Sequence, residues 1–345
     1  MLTCTPEFAR LTEPMAGLRC DANPIVEFRN PFGLQNWTFP VIETLLIIGA
    51  IACLIHAIRW YRTQHDMTNV VVWSSLVLAL VVVEPIAYFP WWFGLENRVP
   101  LTFAHGEFSV QFLYDRMPLY IVAMYPVYGY LAFVLVQRTG IIKRFNRFVA
   151  ACAVAATFFA LYEVTDSVGP QFGWWRWNTE VVTSNPAIGT IPFASLITFS
   201  LALPFGISLL ALLFCTPGQQ GAGRYALNTV IVSILVWPVF IISQLPAQLL
   251  DAGGLSAESG RAIMFWVSLV VIFGVGLRAY IGAMRARATD PALVPDASRT
   301  DFFPLICVLI YFPVITILWI VAFPGGFDSA NQLTPVGTHR EPAIW

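Results

Sequence analysis

Apolar positions along the chain gather in eight long runs separated by shorter polar stretches: Trp37 to Trp60, Asn69 to Tyr88, Met117 to Val136, Phe148 to Val164, Ile188 to Cys215, Tyr225 to Leu250, Ala262 to Ile281 and Phe302 to Phe323. A bilayer core takes roughly 20 predominantly apolar residues per helix, so each run predicts one membrane span. The fold class that follows is all-α: a polytopic integral membrane helix bundle of about eight transmembrane helices over residues 37–323. The fourth run is the shortest. The fifth carries Pro204 in its middle, where the missing N–H predicts a kink or a break. Two tails (residues 1–36 and 324–345) and two polar connections (89–116 and 165–187) complete the chain, with no internal repeat, low-complexity tract or soluble catalytic domain.

Composition agrees with this pattern. Of 345 residues, 57% are hydrophobic and 11% charged, and the mean hydropathy is +0.70; a soluble domain carries about 25% charged residues. The formal charge of −1 leaves no basic surface to neutralise a run of phosphates, which excludes nucleic acid as a partner.

The distribution of positive charge predicts the orientation. Arg59, Arg62, Arg138, Lys143, Arg144, Arg147, Arg224, Arg278, Arg285, Arg287 and Arg299 fall on one set of connections and are expected on the cytoplasmic side. Arg10, Arg19, Arg29, Arg98, Arg116, Arg176, Arg261 and Arg340 then lie thinly spread outside, and both termini face out. The expected location is the plasma (inner) membrane, multi-pass, with extracytoplasmic tails. The N-terminal stretch lacks the basic-then-apolar pattern of a cleavable signal and is expected to persist. Once exported, Cys4 and Cys20 meet an oxidising compartment and become disulfide candidates, whereas Cys53, Cys152, Cys215 and Cys307 lie in spans as small apolar packers.

Ionisable residues in hydrocarbon cost several kcal/mol unless paired or solvated, so they are the best pointers to function. Glu43 stands near the start of span 1, Glu84 near the end of span 2 and Glu163 near the end of span 4; all three fall in the outer third. Asp166 shares a helical side with Glu163 if the helix continues. Gln244 and Gln248 share one face of span 6, and Asp115, Arg116 and Tyr120 mark the outer entry to span 3. Each carboxylate taken alone fits contact with interfacial water or a loop arginine. Converging in a dry site, two carboxyls cannot both ionise freely, which is the condition for one to act as a general acid.

Two outer connections reinforce this location. One offers Trp91, Trp92, His105 and Glu107; the other holds Trp174, Trp175, Arg176 and Trp177. The tryptophans alone fit an interfacial aromatic belt, but a belt does not account for Arg176. The inner half offers only His56 and Arg59, which argues against a proton-driven transporter with carboxylates at the bilayer midplane.

Several chemistries lose their supports. Four histidines, one of them in a span, do not supply a di-iron or bis-haem site, so no metal or other cofactor is expected. The sole lysine, Lys143, lies outside the spans, which excludes a retinal Schiff base. No phosphate loop, zinc helix, nucleophile elbow or aspartate-rich diphosphate motif occurs.

From Glu163 the chain reads E-V-T-D-S-V-G-P-Q-F-G-W-W-R-W-N and then N-P-A-I-G-T-I-P-F. An acid at a helix end, spaced glycines, an aromatic-x-aromatic pair and a Gly-x-x-Pro helix entry resemble the membrane carotenoid-biosynthesis family that includes carotenoid hydratases. The resemblance covers residues 163–193 and singles out Glu163, Gly169, Gly173, Trp175, Trp177, Gly189 and Pro192. Tyrosines are expected in that family where Trp175 and Trp177 stand. It implies acid-catalysed addition of water to an isoprenoid double bond, with Glu163 as the acid, Asp166 or Glu84 as its charge partner and the tryptophans facing developing positive charge.

The leading expectation is therefore a cofactor-free membrane protein that handles a lipid or isoprenoid at the outer leaflet, with catalytic candidates Glu163, Asp166 and Glu84. The substrate-binding candidates are Glu43, Arg176, Trp175, Trp177, Tyr120 and Gln244. The alternatives are a non-catalytic subunit of a cell-envelope complex, docking partner membrane proteins through exported tails and loops, and, ranked last, a transporter. The tails are too poor in core formers to fold alone and are expected to order against a partner or against the protein's own outer loops.

Overall fold

The structure is a computed structural model that describes residues 5–12, 21–95, 99, 102–215, 218, 221–289 and 300–330. Cys4 and Cys20 lie outside the described residues, as does most of the C-terminal tail. Among the described residues, eight helices are long and apolar enough to cross a membrane: α1 (Thr38–Gln64), α2 (Thr68–Tyr88), α3 (Leu119–Thr139), α4 (Arg147–Phe172), α5 (Phe193–Phe214), α6 (Ala222–Ala252), α7 (Ala257–Thr289) and α8 (Phe303–Ala330). The protein is an all-α, multi-pass integral membrane bundle.

Burial ranks the helices. In α3, 78% of the apolar window is buried, against 22% in α7 and α8, so α3 is the central post and the last two helices face lipid. Four tyrosines of α3 (Tyr120, Tyr125, Tyr128 and Tyr130) are buried, and each hydroxyl has a hydrogen-bond partner.

Several helices depart from the expected bounds, α7 running from Ala257 to Thr289 and α5 starting at Phe193, and two departures shape the site. The fourth helix, expected to stop at Val164, continues for two more turns to Phe172 and is not short. Pro170 sits within one turn of the helix end, where a missing N–H costs one bond, and the true stop is Gly173 in the left-handed conformation (φ 76°). In α5, Pro204 does not break the helix. Residues Leu196–Ala202 instead widen into π-helical turns, with Leu203 N–H reaching back five residues to the Thr198 carbonyl.

The polar connections at one end of the bundle build a small β cap. Strands β1 (Val26–Phe28), β3 (Val110–Phe112) and β4 (Met117–Pro118) form one antiparallel sheet; β2 (Phe103–His105) and β5 (Trp175–Trp177) form another. The described N-terminal arm thus orders against the protein's own connection between α2 and α3. Glu43 of α1 accepts from the backbone N–H groups of Ser109 (3.2 Å) and Val110 (3.3 Å), which ties the cap to the membrane domain.

Between β3 and β4, Leu113, Tyr114 and Asp115 are three consecutive non-glycine residues in the left-handed region, at φ 54°, 55° and 66°. Each costs on the order of 1–3 kcal/mol and persists only where its surroundings hold it. Here Arg29 of the N-terminal arm bonds the buried Asp115 carboxylate, Gln111 bonds the Asp115 carbonyl, and Tyr114 N–H bonds the Asn23 carbonyl. Replacement of Arg29 by Met should cost roughly 2–3 kcal/mol, below the figure for a fully buried pair because its side chain is 20% exposed. Limited proteolysis should then cut within residues 21–37 at enzyme levels that leave the wild type intact; equal resistance would refute the clamp.

Candidate functional site

A polar chamber lies where the capped ends of four helices meet the β2–β5 sheet. Its volume is about 20 Å3, enough for about one water molecule. Glu84 enters from α2, Tyr125 from α3, Tyr162 and Asp166 from α4, and Ser195 from α5. The roof follows from strand alternation: in the β2–β5 pair, Phe103 opposes Trp177 and His105 opposes Trp175, so these four share the inner face. Ala104 and Arg176 share the outer face, where Leu11 of the short Pro6–Thr12 helix packs against Ala104.

Gly169 makes the roof possible. A Cβ built there would fall inside the Trp175 ring, so only glycine lets the indole lie flat on α4. The left-handed Gly173 then turns the chain back over the helix end within one residue of Trp174.

The π-helical turns of α5 set the far wall. Ser195 stands on the Asp166 side and Ser200 on the Glu163 side, and neither hydroxyl makes a hydrogen bond within the described residues. Residues five apart are out of phase on a helix of 3.6 residues per turn, but the i→i+5 repeat stacks them, so both hydroxyls lie on the side of carboxyls spaced one turn apart on α4. Tyr162 donates to Asp166 Oδ1 at 3.2 Å, and Tyr88 adjoins Glu84 one turn further along α2.

His105 is the titratable group that sequence reading left out of the site. Its Nδ1 lies 2.9 Å from the Tyr120 hydroxyl, which in turn lies 3.5 Å from the Trp174 carbonyl. With Tyr120 donating to that carbonyl, Nδ1 is the donor and Nε2 is left as an acceptor aimed into the chamber. Burial in the cap pulls the imidazole down from 6.5 to about 3, so it is neutral at ordinary pH. Nε2 of His105, Oε2 of Glu84, Oδ2 of Asp166 and the indole N–H groups of Trp175 and Trp177 make no hydrogen bond within the described residues.

The structure sorts the sequence candidates. Glu84, Asp166, Trp175 and Trp177 line the chamber, and Glu163 stands one turn below Asp166. Tyr120 stands behind His105 as its hydrogen-bond partner. Glu43 points to the cap backbone, and Arg176 occupies the sheet's opposite face, so neither joins the chamber. Gln244 bonds the Ala194 carbonyl and Thr198 Oγ1 and lines a neighbouring apolar groove. That groove, about 370 Å3 between α2 and α6, shares Phe103 and Phe199 with the chamber as a common wall. Among the described residues no cluster of three or more His, Cys, Asp or Glu is placed to hold a metal ion. Phe103, Tyr162, Ser195 and Ser200 were missed by sequence reasoning, and His105 was noted on its connection but not counted among the candidates. Their signals were two three-residue stretches of strand alternation and a Ser-x4-Ser spacing before Pro204.

Two predictions follow the geometry. Because His105 titrates at about 3 in the folded protein and near 6.5 when unfolded, neutral His105 contributes stability that is fully present above pH 6.5 and lost as pH falls toward 3. Thermal unfolding between those limits should show this loss in the wild type and a shallower one in His105→Gln; parallel curves would refute it. Gly169→Ala should lower stability by roughly 1–3 kcal/mol through overpacking against Trp175, with an unchanged Tm as the contrary result.

Set beside known proteins, the chain has no match among family models, curated proteins or solved structures.

Proposed function

We propose that this protein is a cofactor-free acid–base enzyme that acts on an isoprenoid or related apolar lipid at the capped, extracytoplasmic face of the plasma membrane. The observation that carries this reading is the contact between a one-water polar chamber and an apolar groove across Phe103 and Phe199. A protonating enzyme for a hydrocarbon needs an acid, an acceptor for water and a dry slot for the chain, side by side. The resemblance at residues 163–193 supplies the reaction type, addition of water to a carbon–carbon double bond.

In this reading, movement of Phe103 or Phe199 admits a chain end from the groove. A carboxyl of Asp166 or Glu84 transfers its proton to the terminal carbon of the double bond, while the Trp175 and Trp177 rings face the carbocation. Water held by His105 Nε2 adds to the cation, and its spare proton returns through His105 to the carboxylate. One C–O and one C–H bond form, the π bond breaks, and the enzyme is regenerated. Glu163, on the Ser200 side one turn away, holds the electrostatics of the pair. The positive charge on the uncapped side supports the orientation, and the arm's attachment to its own cap favours a stand-alone enzyme over a subunit that docks through that arm.

Protein reconstituted in vesicles with an acyclic carotenoid in H2(18)O should yield an alcohol carrying the heavy oxygen. Asp166→Asn and Glu84→Gln should each lower the rate by roughly 100-fold or more, the usual scale of a lost proton donor, while Glu43→Gln should retain activity. Unlabelled substrate after prolonged incubation with a folded wild type would overturn the hydration reading.

A further inference from the structure

A second hollow lies on the other side of the bundle, away from the chamber. It measures about 630 Å3 and is walled by α1, α3 and α8. Its shape follows from two sets of contacts on α8. At the uncapped end α8 is pinned to α1: His56 Nε2 meets Asp301 Oδ2 at 2.7 Å, and the His56 ring stacks on Phe303 at 4.4 Å. Two turns along, Tyr311 reaches toward α4, where its hydroxyl bonds Thr165 (3.0 Å) and the Leu161 carbonyl. Helix α8 therefore leans from α1 toward α4, and a wedge opens between α1 and α8 in the direction of the cap.

The floor of the wedge is α3. Gly49 brings α1 against it, since a Cβ there would lie 3.1 Å from the Val127 side chain. The apex is at Cys53 and Cys307, and the mouth is at Pro40 and Val41, beside Phe32 of the N-terminal arm. From Val41 to Cys53 the wedge runs roughly 18 Å at 1.5 Å per residue. Half of a hydrocarbon core of about 30 Å is about 15 Å, so the wedge spans one leaflet. Its lining is almost wholly apolar, with Thr44 near the mouth as the polar exception, and gives water few partners. At about 30 Å3 per water-sized group, it holds roughly twenty methylene-sized groups.

We propose that this wedge binds one acyl chain of a phospholipid from the leaflet on the capped side. Closure at the apex excludes a chain from the opposite leaflet, and the exposed Ile48, Ile51 and Ile55 on α1 continue the surface into bulk lipid. The chain fills the gap that α8 leaves beside α1, while Tyr311, Ile315, Leu318 and Ala322 hold the helix in the core on its other side. This site is independent of the chemistry proposed for the chamber.

The test uses the full chain in vesicles of phosphatidylcholine and phosphatidylglycerol, doped with a phosphatidylcholine carrying a diazirine midway along one acyl chain. After irradiation and peptide mapping, label should concentrate on the wedge walls in α1, α3 and α8 relative to the exposed apolar faces around Ile234 of α6 and Val270 of α7. Ala52→Trp, inside the wedge, should reduce wedge labelling to the level of those faces and leave the faces unchanged. If that variant does not fold, Ile310→Trp at the 55% exposed rim carries the same test. Uniform labelling in the wild type would overturn the proposal, as would enrichment that survives in a folded variant.

Discussion

The capped end of this protein depends on one contact, the Trp175 ring lying against the bare Cα of Gly169. A side chain at residue 169 would lift the strand Trp175–Trp177 from the helix, and its partner strand Phe103–His105 would move with it. The chamber roof consists of those two strands. Helix α4 can therefore carry Asp166 well into the outer end of the bundle and still be covered, because the chain reverses at Gly173 and folds back over its own last turn. The fit of one aromatic ring to one helix thus sets the positions of a carboxyl, two indoles and a histidine.

The opposite wall rests on a different economy of backbone geometry. A proline in mid-helix frees a carbonyl and crowds the preceding turn. Here the chain absorbs the defect by widening over Leu196–Ala202, within the bundle, where neighbouring helices cover the altered hydrogen bonds. The same widening puts Ser195 and Ser200 in phase, each on the side of a carboxyl of α4. A regular helix would have presented one hydroxyl and turned the other away.

Much of this was legible in the sequence because membrane spans are written in long runs of residues, and a run of 20 survives local exceptions. The one-sided clustering of Glu84, Glu163 and Asp166 was legible for the same reason: few ionisable groups occur in the spans, and their depth follows from counting. What did not read was detail carried by very few residues. Strands of two or three residues give no periodic signal, so the pairing of β2 with β5, and with it the role of His105, was hidden. Glu43 and Glu84 looked alike, each near the outer end of a span. They differ in what stands opposite: backbone N–H groups at Ser109 and Val110 for one, an enclosed polar chamber for the other. The fourth run was closed at Val164, where its apolar stretch ends, yet the helix passes through Gly169 and Pro170, which in the last turn cost little.

The two ends of the bundle divide the work of stability differently. At the uncapped end, α1, α2, α3 and α8 meet through polar side chains: Asn69 and His56 both reach the Tyr130 hydroxyl, and Asp301 closes the group just before α8. Such bonds are directional and hold the helices at fixed angles. Toward the cap, rings and small residues pack around the chamber, and polar ties lie outside it, from Glu43 to the Ser109 and Val110 N–H groups and from Arg29 to Asp115. The aromatic wall at Phe103 and Phe199 is held by packing alone, which makes it the part of the capped end best suited to open. Ring packing is non-directional and tolerates a rotamer change, whereas a buried hydrogen-bond network does not. Any passage between the chamber and the groove therefore belongs at Phe103 and Phe199, the wall that the two share.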